Sequence, residues 1–122
     1  MIEFNLDTTA SVLYIRPKSA LEKSDFAQLS QTVDPHIEKT GGLEGVLVEA
    51  ATFPGWSTLG ALIQHMRFVR DHQKYIKKIA IVTDSAIGNV AENIAAHFIA
   101  ADIKHFRAGE LEAAKRWITS SG

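Results

Sequence analysis

The chain has 122 residues, of which 46% are hydrophobic and 22% charged, and this fits one globular domain over residues 1–122. Its formal net charge of −1 gives no general attraction to nucleic acid or to an anionic membrane, so we expect no nucleic-acid partner. The chain has no cysteine, which excludes disulfides, thiol catalysis and cysteine-ligated metal centres.

The N-terminal segment predicts a β-hairpin. Apolar residues alternate with polar ones over residues 2–6, as they do in a half-buried strand. Residues 12–16 form a second apolar strand, and residues 7–10 between the two have the composition of a turn. Pro17 is expected to end the second strand.

A helix is predicted next, with Ser24 or Asp25 as its N-cap. Four apolar residues recur at helical spacing on one face of it: Phe26, Leu29, Val33 and Ile37. Pro35 lies inside this stretch, where we expect it to kink or restart the helix, and Gly41-Gly42 are expected to end it.

The rest of the chain predicts a strict alternation of strands and helices. Buried strands are expected over residues 45–49 and 79–83, and a short edge strand over residues 102–106. Helices are expected in three places: from Ser57 or Thr58, from Asp84 or Ser85, and over residues 109–117. The resulting order, β-β-α-β-α-β-α-β-α, predicts an α/β fold with a mostly parallel sheet, helices covering it and an antiparallel hairpin at its start.

The loop after the third strand carries the predicted ligand site. In α/β proteins, ligands bind where the carboxyl end of a strand, a loop and a helix N-terminus meet. This position is occupied by Phe53, Pro54, Gly55, Trp56, Ser57 and Thr58. The two large rings can line an apolar pocket or cover the end of the core, and the helix N–H groups can be capped by the hydroxyls or hold an anionic group.

Three segments resemble the SpoIIAA-like family of small bacterial proteins, which has the STAS fold of anti-sigma-factor antagonists. They are residues 53–56, 77–84 and 106–117, and together with the element order they extend the resemblance over nearly the whole chain. The resemblance implies a STAS-like α/β fold and a non-enzymatic binding protein. Similarity of this fold to the lipid-carrying CRAL-TRIO domains further implies an apolar ligand.

Anti-sigma-factor antagonists carry a phosphorylatable serine at the start of the helix that follows the third strand. Ser57 lies nearest to that position, but Trp56 precedes it where the family usually has a short polar turn. The resemblance therefore also implies a second function, a regulatory protein-interaction module switched by phosphorylation of Ser57.

Three functions stay open from the sequence. The one we favour is non-catalytic binding of a small apolar or amphipathic, lipid-like molecule at residues 53–58, and the alternative is the module switched at Ser57. The third is a small hydrolase that uses Glu49 or Asp84, which requires the two carboxylates to lie close together. We expect no enzyme activity and no cofactor.

No metal site is predicted from the histidines, because none of them forms an i, i+4 pair or an HExxH motif. They are His36, His65, His72, His97 and His105.

A local basic cluster is interpreted as a solvated helix face, with contact to an anionic headgroup or an acidic partner as the functional alternative. Its members are Arg67, Arg70, Lys74, Lys77 and Lys78.

The expected location is the cytoplasm. No apolar run reaches the roughly 20 residues of a membrane span, and the N-terminus lacks the features of a signal peptide.

Phe68 falls outside the apolar stripe of its helix, so we expect it to be exposed at a partner or homodimer surface.

Overall fold

The computed structural model describes residues 2–50, 64–65, 67–68, 71–84 and 102–120. Within these residues, five strands form one sheet in the order β1-β2-β3-β4-β5. The strands are β1 (Ile2–Asp7), β2 (Val12–Pro17), β3 (Leu43–Glu49), β4 (Ile76–Val82) and β5 (Asp102–Phe106). The fully bounded helices are α1 (Lys23–Thr40) and α2 (Leu111–Thr119), with short 3₁₀ helices at Gln73–Tyr75 and Ala108–Glu110.

The predicted fold class is confirmed. β1 pairs antiparallel with β2, and the pairs β2–β3, β3–β4 and β4–β5 are parallel, which gives a mixed and mostly parallel sheet. The start of the helix predicted from Ser57 or Thr58 lies outside the described residues, while residues 64, 65, 67, 68, 71 and 72 are helical. The helix predicted after Asp84 or Ser85 also lies outside them. In the part of the chain that is described, no helix is long and apolar enough to cross a membrane.

The hairpin turn is held by side chains. Asp7 Oδ1 accepts hydrogen bonds from the N–H groups of Thr9 and Ala10, each at 3.0 Å, which closes the turn between β1 and β2. Ser11 adopts a left-handed φ of 60°. Its hydroxyl donates to the Gly42 carbonyl at 3.1 Å and lies 2.8 Å from His36 Nε2. These contacts join the turn to the end of α1.

α1 begins earlier than the sequence indicates. Its N-cap is Glu22, whose N–H donates to Asp25 Oδ2 at 2.8 Å, so the predicted caps, Ser24 and Asp25, lie in the first turn instead. A carboxylate at the third helical position bonds back to the cap N–H, and this reciprocal contact sets the start of the helix. The helix runs through Pro35 without ending, and Gly41 terminates it with a φ of 91°.

Two apolar layers form on the two faces of the sheet. On the α1 face, the apolar stripe of α1 packs against Leu13, Val46 and Ile79. On the α2 face, the contacts are formed by Leu47, Ala80, Val82, Phe106, Ala114 and Ile118. Gly45 lies under α2, where an added Cβ would collide with the Ile118 side chain, so this close approach of helix and sheet requires glycine.

α2 packs on the middle of its face of the sheet. Among the described elements, its contacts are mainly with β3 and β4, and fewer of them reach β1 and β2.

Phe68 is not exposed as predicted. It is half-buried and packs against the core layer on the α1 face. Its ring centroid lies 6.0 Å from that of Phe26 and 4.1 Å from that of His72, on which it stacks. A residue outside the main stripe of its helix can still be covered by a second element, here α1. The homodimer stays a prediction, and Phe68 no longer supports it.

Candidate functional site

The predicted ligand-binding residues Phe53, Pro54, Gly55, Trp56, Ser57 and Thr58 lie outside the described residues. The structure does describe the strand end from which this segment starts. β3 ends at Glu49, and the N–H of Ala50 still donates to the Val82 carbonyl at 2.9 Å. Glu49 is therefore the last strand residue that precedes the predicted site in the chain.

The carboxyl ends of the central strands meet at this edge. Glu49 pairs with Val82 in the β3–β4 register, and Thr83 N–H donates to the Phe106 carbonyl at 3.0 Å. His105 Nε2 lies 2.8 Å from the Thr83 carbonyl. A carbonyl oxygen can only accept, so His105 donates from this nitrogen.

Glu49 and Asp84, the carboxylates of the hydrolase hypothesis, each have a partner of their own. Glu49 Oε1 lies 3.0 Å from Arg16 Nε in an ion pair between β3 and β2. Asp84 Oδ1 accepts a hydrogen bond from the N–H of Ala108 at 3.0 Å, which joins the end of β4 to the start of a 3₁₀ helix. The two carboxylates are therefore engaged with separate partners.

A cavity of about 240 Å³ lies on the α2 face, beside Glu49. It lies over β1 and β2, beside α2. β1 and β2 contribute Glu3, Phe4, Asn5, Tyr14, Ile15 and Arg16, β3 contributes Leu47 and Glu49, and α2 contributes Leu111 and Lys115.

Strand register brings these side chains together. Glu3 lies opposite Arg16 and Asn5 opposite Tyr14 in the antiparallel β1–β2 pair. Tyr14 lies opposite Leu47 in the parallel β2–β3 pair. Directly opposite residues point to the same face, so the polar residues of three strands line one wall of the cavity.

The cavity combines an apolar floor with a charged rim. Leu47 is buried at 2% exposure, and Tyr14 and Leu111 are half-buried. At the rim, Arg16 pairs with Glu49, and Lys115 Nζ lies 6.0 Å from the centroid of the Tyr14 ring. This arrangement suits a molecule with an apolar part and a charged part.

A wider depression of about 780 Å³ lies between β1 and α1, on the opposite side of the sheet from α2. Its lining is formed by Phe4, Asn5, Leu6, Thr8, Thr32, Pro35, His36, Lys39 and Thr40. Its residues do not include the end of β3, so we place the candidate site at the smaller cavity.

Apart from Glu49, the cavity residues were missed by the sequence interpretation, although two signals point to them. Tyr14 and Arg16 alternate with Leu13 and Ile15, so they must share one face of β2. Leu111 and Lys115 are four residues apart and therefore share one face of α2. Neither pattern shows that the two faces border the same cavity.

The described histidines have structural partners. His72 Nδ1 lies 2.8 Å from the Phe68 carbonyl, and its Nε2 lies 2.7 Å from Asp34 Oδ1. The His65 ring stacks on Phe26 with centroids 5.0 Å apart, and burial lowers the pKa of His65 to about 4 from its ordinary 6.5. Among the residues that are described, no three His, Asp or Glu side chains are grouped closely enough to hold a metal ion.

Lys78 does not belong to a solvated basic face. It is buried at 8% exposure and lies in β4 rather than on a helix. Its ammonium donates to the carbonyls of Trp117 and Ser120 at 3.0 and 2.9 Å, and to Ser120 Oγ at 3.0 Å. It therefore caps the C-terminus of α2. Strand alternation with Ala80 was the signal, since it places Lys78 on the α2 face.

The comparisons with known proteins agree with this architecture. The family model described as SpoIIAA-like matches residues 12–119. The solved structure of an uncharacterized protein from the DUF3478 family, with a SpoIIAA-like fold and from Shewanella loihica PV-4, is similar with a TM-score of 0.71. The alignment covers 97% of this chain and 92% of that chain at 19% identity, which supports the fold alone. A search of curated proteins gave no match. The resemblance predicted from the sequence is thus confirmed, and the chain belongs to the SpoIIAA-like family.

Proposed function

We propose that this protein is a non-catalytic binding protein for a small apolar or amphipathic molecule, held at the carboxyl ends of β2 and β3. The observation that carries this proposal is the cavity beside Glu49, with its apolar floor and charged rim. Residues 53–58 follow Glu49 closely in the chain, and we propose that they form part of the same site.

The size of the cavity limits the ligand. Its volume of about 240 Å³ is below the roughly 300–1,000 Å³ of pockets for drug-sized molecules. The cavity therefore accommodates a small molecule, or one end of a larger molecule.

The binding energy available from the cavity is modest. At about 0.8 kcal/mol for each buried CH₂, a chain of about six carbons gains roughly 5 kcal/mol. Association costs about 4–15 kcal/mol in lost translational and rotational freedom. Tight binding therefore needs further contact area, which the large rings of Phe53 and Trp56 would supply.

Native mass spectrometry of freshly purified protein, followed by denaturation and organic extraction, tests the proposal. We expect an added mass that leaves as an apolar or amphipathic molecule, and less of it in Trp56→Ala. Tyr75→Ala is the matched control, because Tyr75 is an exposed aromatic residue just before β4, at the opposite end of that strand. Equal retention in both variants would remove residues 53–58 from the site.

A purified protein without added mass requires a second measurement, the titration with defined probe molecules given below. If neither an added mass nor binding of any probe is found, the small-molecule function is rejected.

Membership in the SpoIIAA-like family supports the second candidate, a protein-interaction module switched by phosphorylation of Ser57. A phosphate there adds negative charge at a position predicted to open a helix. Intact-mass and peptide analysis of protein isolated from cells, with Ser57→Ala as the control, should show a phosphate on Ser57. Its absence under every growth condition would count against this candidate.

A further inference from the structure

We propose that the cavity beside Glu49 selects an anionic amphipathic molecule, with Lys115 and Arg16 binding its carboxylate or phosphate group. This inference rests on the proposed function, because it names the ligand class for the same site. The apolar part would contact Tyr14, Leu47 and Leu111.

Arg16 is held in place and still has donors to offer. Its Nε lies 3.0 Å from Glu49 Oε1, and this contact fixes the guanidinium at the rim of the cavity. An arginine has five N–H donors in a planar fork, so four remain beyond the one at Nε. The side chain is 58% exposed, which leaves these donors accessible to a ligand oxygen.

Lys115 reaches the cavity from a different element. Its Nζ lies over the Tyr14 ring, 6.0 Å from the centroid, so the half-buried stem follows the apolar floor. Its carboxylate partner, Glu112, is 3.8 Å away and 77% exposed. Such exposed pairs contribute little energy, so the ammonium can turn toward a ligand anion at low cost.

The acidic residues of the lining also have basic partners. Glu49 is paired with Arg16, and Glu3 Oε2 lies 3.7 Å from Lys18 Nζ. A ligand cation would have to compete with these two basic residues for the carboxylates. The Glu3–Lys18 pair is exposed, as the Lys115–Glu112 pair is. The preference for an anion therefore rests on the four spare donors of Arg16 and on the position of Lys115 Nζ over the Tyr14 ring.

Titration with four probes of equal chain length tests the inference: hexanoate, hexyl phosphate, hexanol and hexylamine. Binding is followed from the backbone amide NMR shifts of Tyr14, Leu47 and Leu111 at low salt, where Coulomb interactions are least screened. We expect at least one of the two anions to bind about three- to tenfold more tightly than hexylamine, as befits partly exposed charge contacts. The stronger of the two anions identifies the head group as a carboxylate or a phosphate.

Lys115→Gln should remove most of the preference for the anion while leaving hexanol binding unchanged. Lys115→Arg should retain the preference, because the positive charge is kept. Lys77→Gln is the matched control, since Lys77 is an exposed lysine paired with a glutamate, Glu44, and neither residue lines the cavity. The amide spectrum of each variant without ligand confirms that it is folded.

The outcomes separate this inference from the proposed function. Binding of all four probes alike, tighter binding of hexylamine, or an equal loss in Lys77→Gln would overturn the anion preference and leave a small-molecule site in place. Absence of shifts at Tyr14, Leu47 and Leu111 with every probe would overturn the cavity as the binding site. Retention of an extracted molecule that depends on Trp56 would then still support the proposed function.

Discussion

Replacing Lys78 with methionine should destabilise the protein by about 2–4 kcal/mol. Lys78 is buried, and its three ammonium donors are used by the carbonyls of Trp117 and Ser120 and by the Ser120 hydroxyl. Its Nζ also lies 5.3 Å from the centroid of the Trp117 ring. Methionine keeps much of the apolar stem and removes the charge and all three donors.

The magnitude follows from opposing contributions. Hydrogen bonds to charged groups contribute about 1.5–3 kcal/mol each, and the cation–π contact roughly 1 kcal/mol. Burial of the ammonium costs several kcal/mol, which the variant recovers. Ser120 is exposed, so water can replace part of the lost capping. The difference leaves a loss of about 2–4 kcal/mol, which is a large part of a typical domain's 5–15 kcal/mol.

Urea denaturation of Lys78→Met beside Lys77→Met measures this difference directly. Lys77 is the matched control, because its side chain is 71% exposed and its bond to Glu44, at 3.1 Å, lies at the surface. We expect Lys77→Met to change the free energy of unfolding by less than about 1 kcal/mol. If the two variants agree within about 0.5 kcal/mol, the capping role of Lys78 is wrong. Because α2 forms one wall of the cavity, Lys78→Met should also weaken probe binding.

Two further predictions concern stability. Acidification from pH 6.5 to 4 should lower the free energy of unfolding by about 3 kcal/mol. The reason is that burial lowers the pKa of His65 to about 4, so the unfolded chain binds the proton first. The contribution of His65 to the free energy of unfolding is fully present above pH 6.5. The urea midpoint of His65→Gln should therefore fall less steeply between pH 6.5 and 4 than that of the unsubstituted protein. An equally steep fall in both proteins would contradict this role of His65. Gly45→Ala should lower the free energy of unfolding by about 1–3 kcal/mol through its collision with Ile118. Gly109→Ala, where an added Cβ meets nothing within 4 Å, should be close to neutral, and equal losses in the two variants would refute the close contact.

Much of the fold could be predicted from local patterns. Alternation over residues 2–6 and the turn at Asp7 indicate the hairpin, because a period of two residues and a side chain that bonds nearby N–H groups are local properties. The helical stripe of α1 and its end at Gly41 follow in the same way. The predicted start of α1 was wrong, because Ser24 and Glu22 lie close together in the chain and either can cap a helix.

Positions that depend on distant partners were predicted less well. Phe68 was expected at the surface because it falls outside the apolar stripe of its helix, but α1 covers it in the fold. Lys78 was assigned to a solvated face because it stands among other basic residues, but strand alternation turns it under α2. In both cases the deciding neighbour lies more than 35 residues away in the chain.

By itself, the sequence determined the class of the fold, its family, and the strand end at which a ligand site is expected. Periodicity, turn residues and family motifs are local patterns, so they can be recognised without the tertiary structure. The cavity beside Glu49 was decided only by the tertiary structure. Its lining is set by the register of three strands and by the position of α2, which packs mainly on β3 and β4. Helix coverage and strand register are relations between segments distant in the chain, so no local pattern contains them.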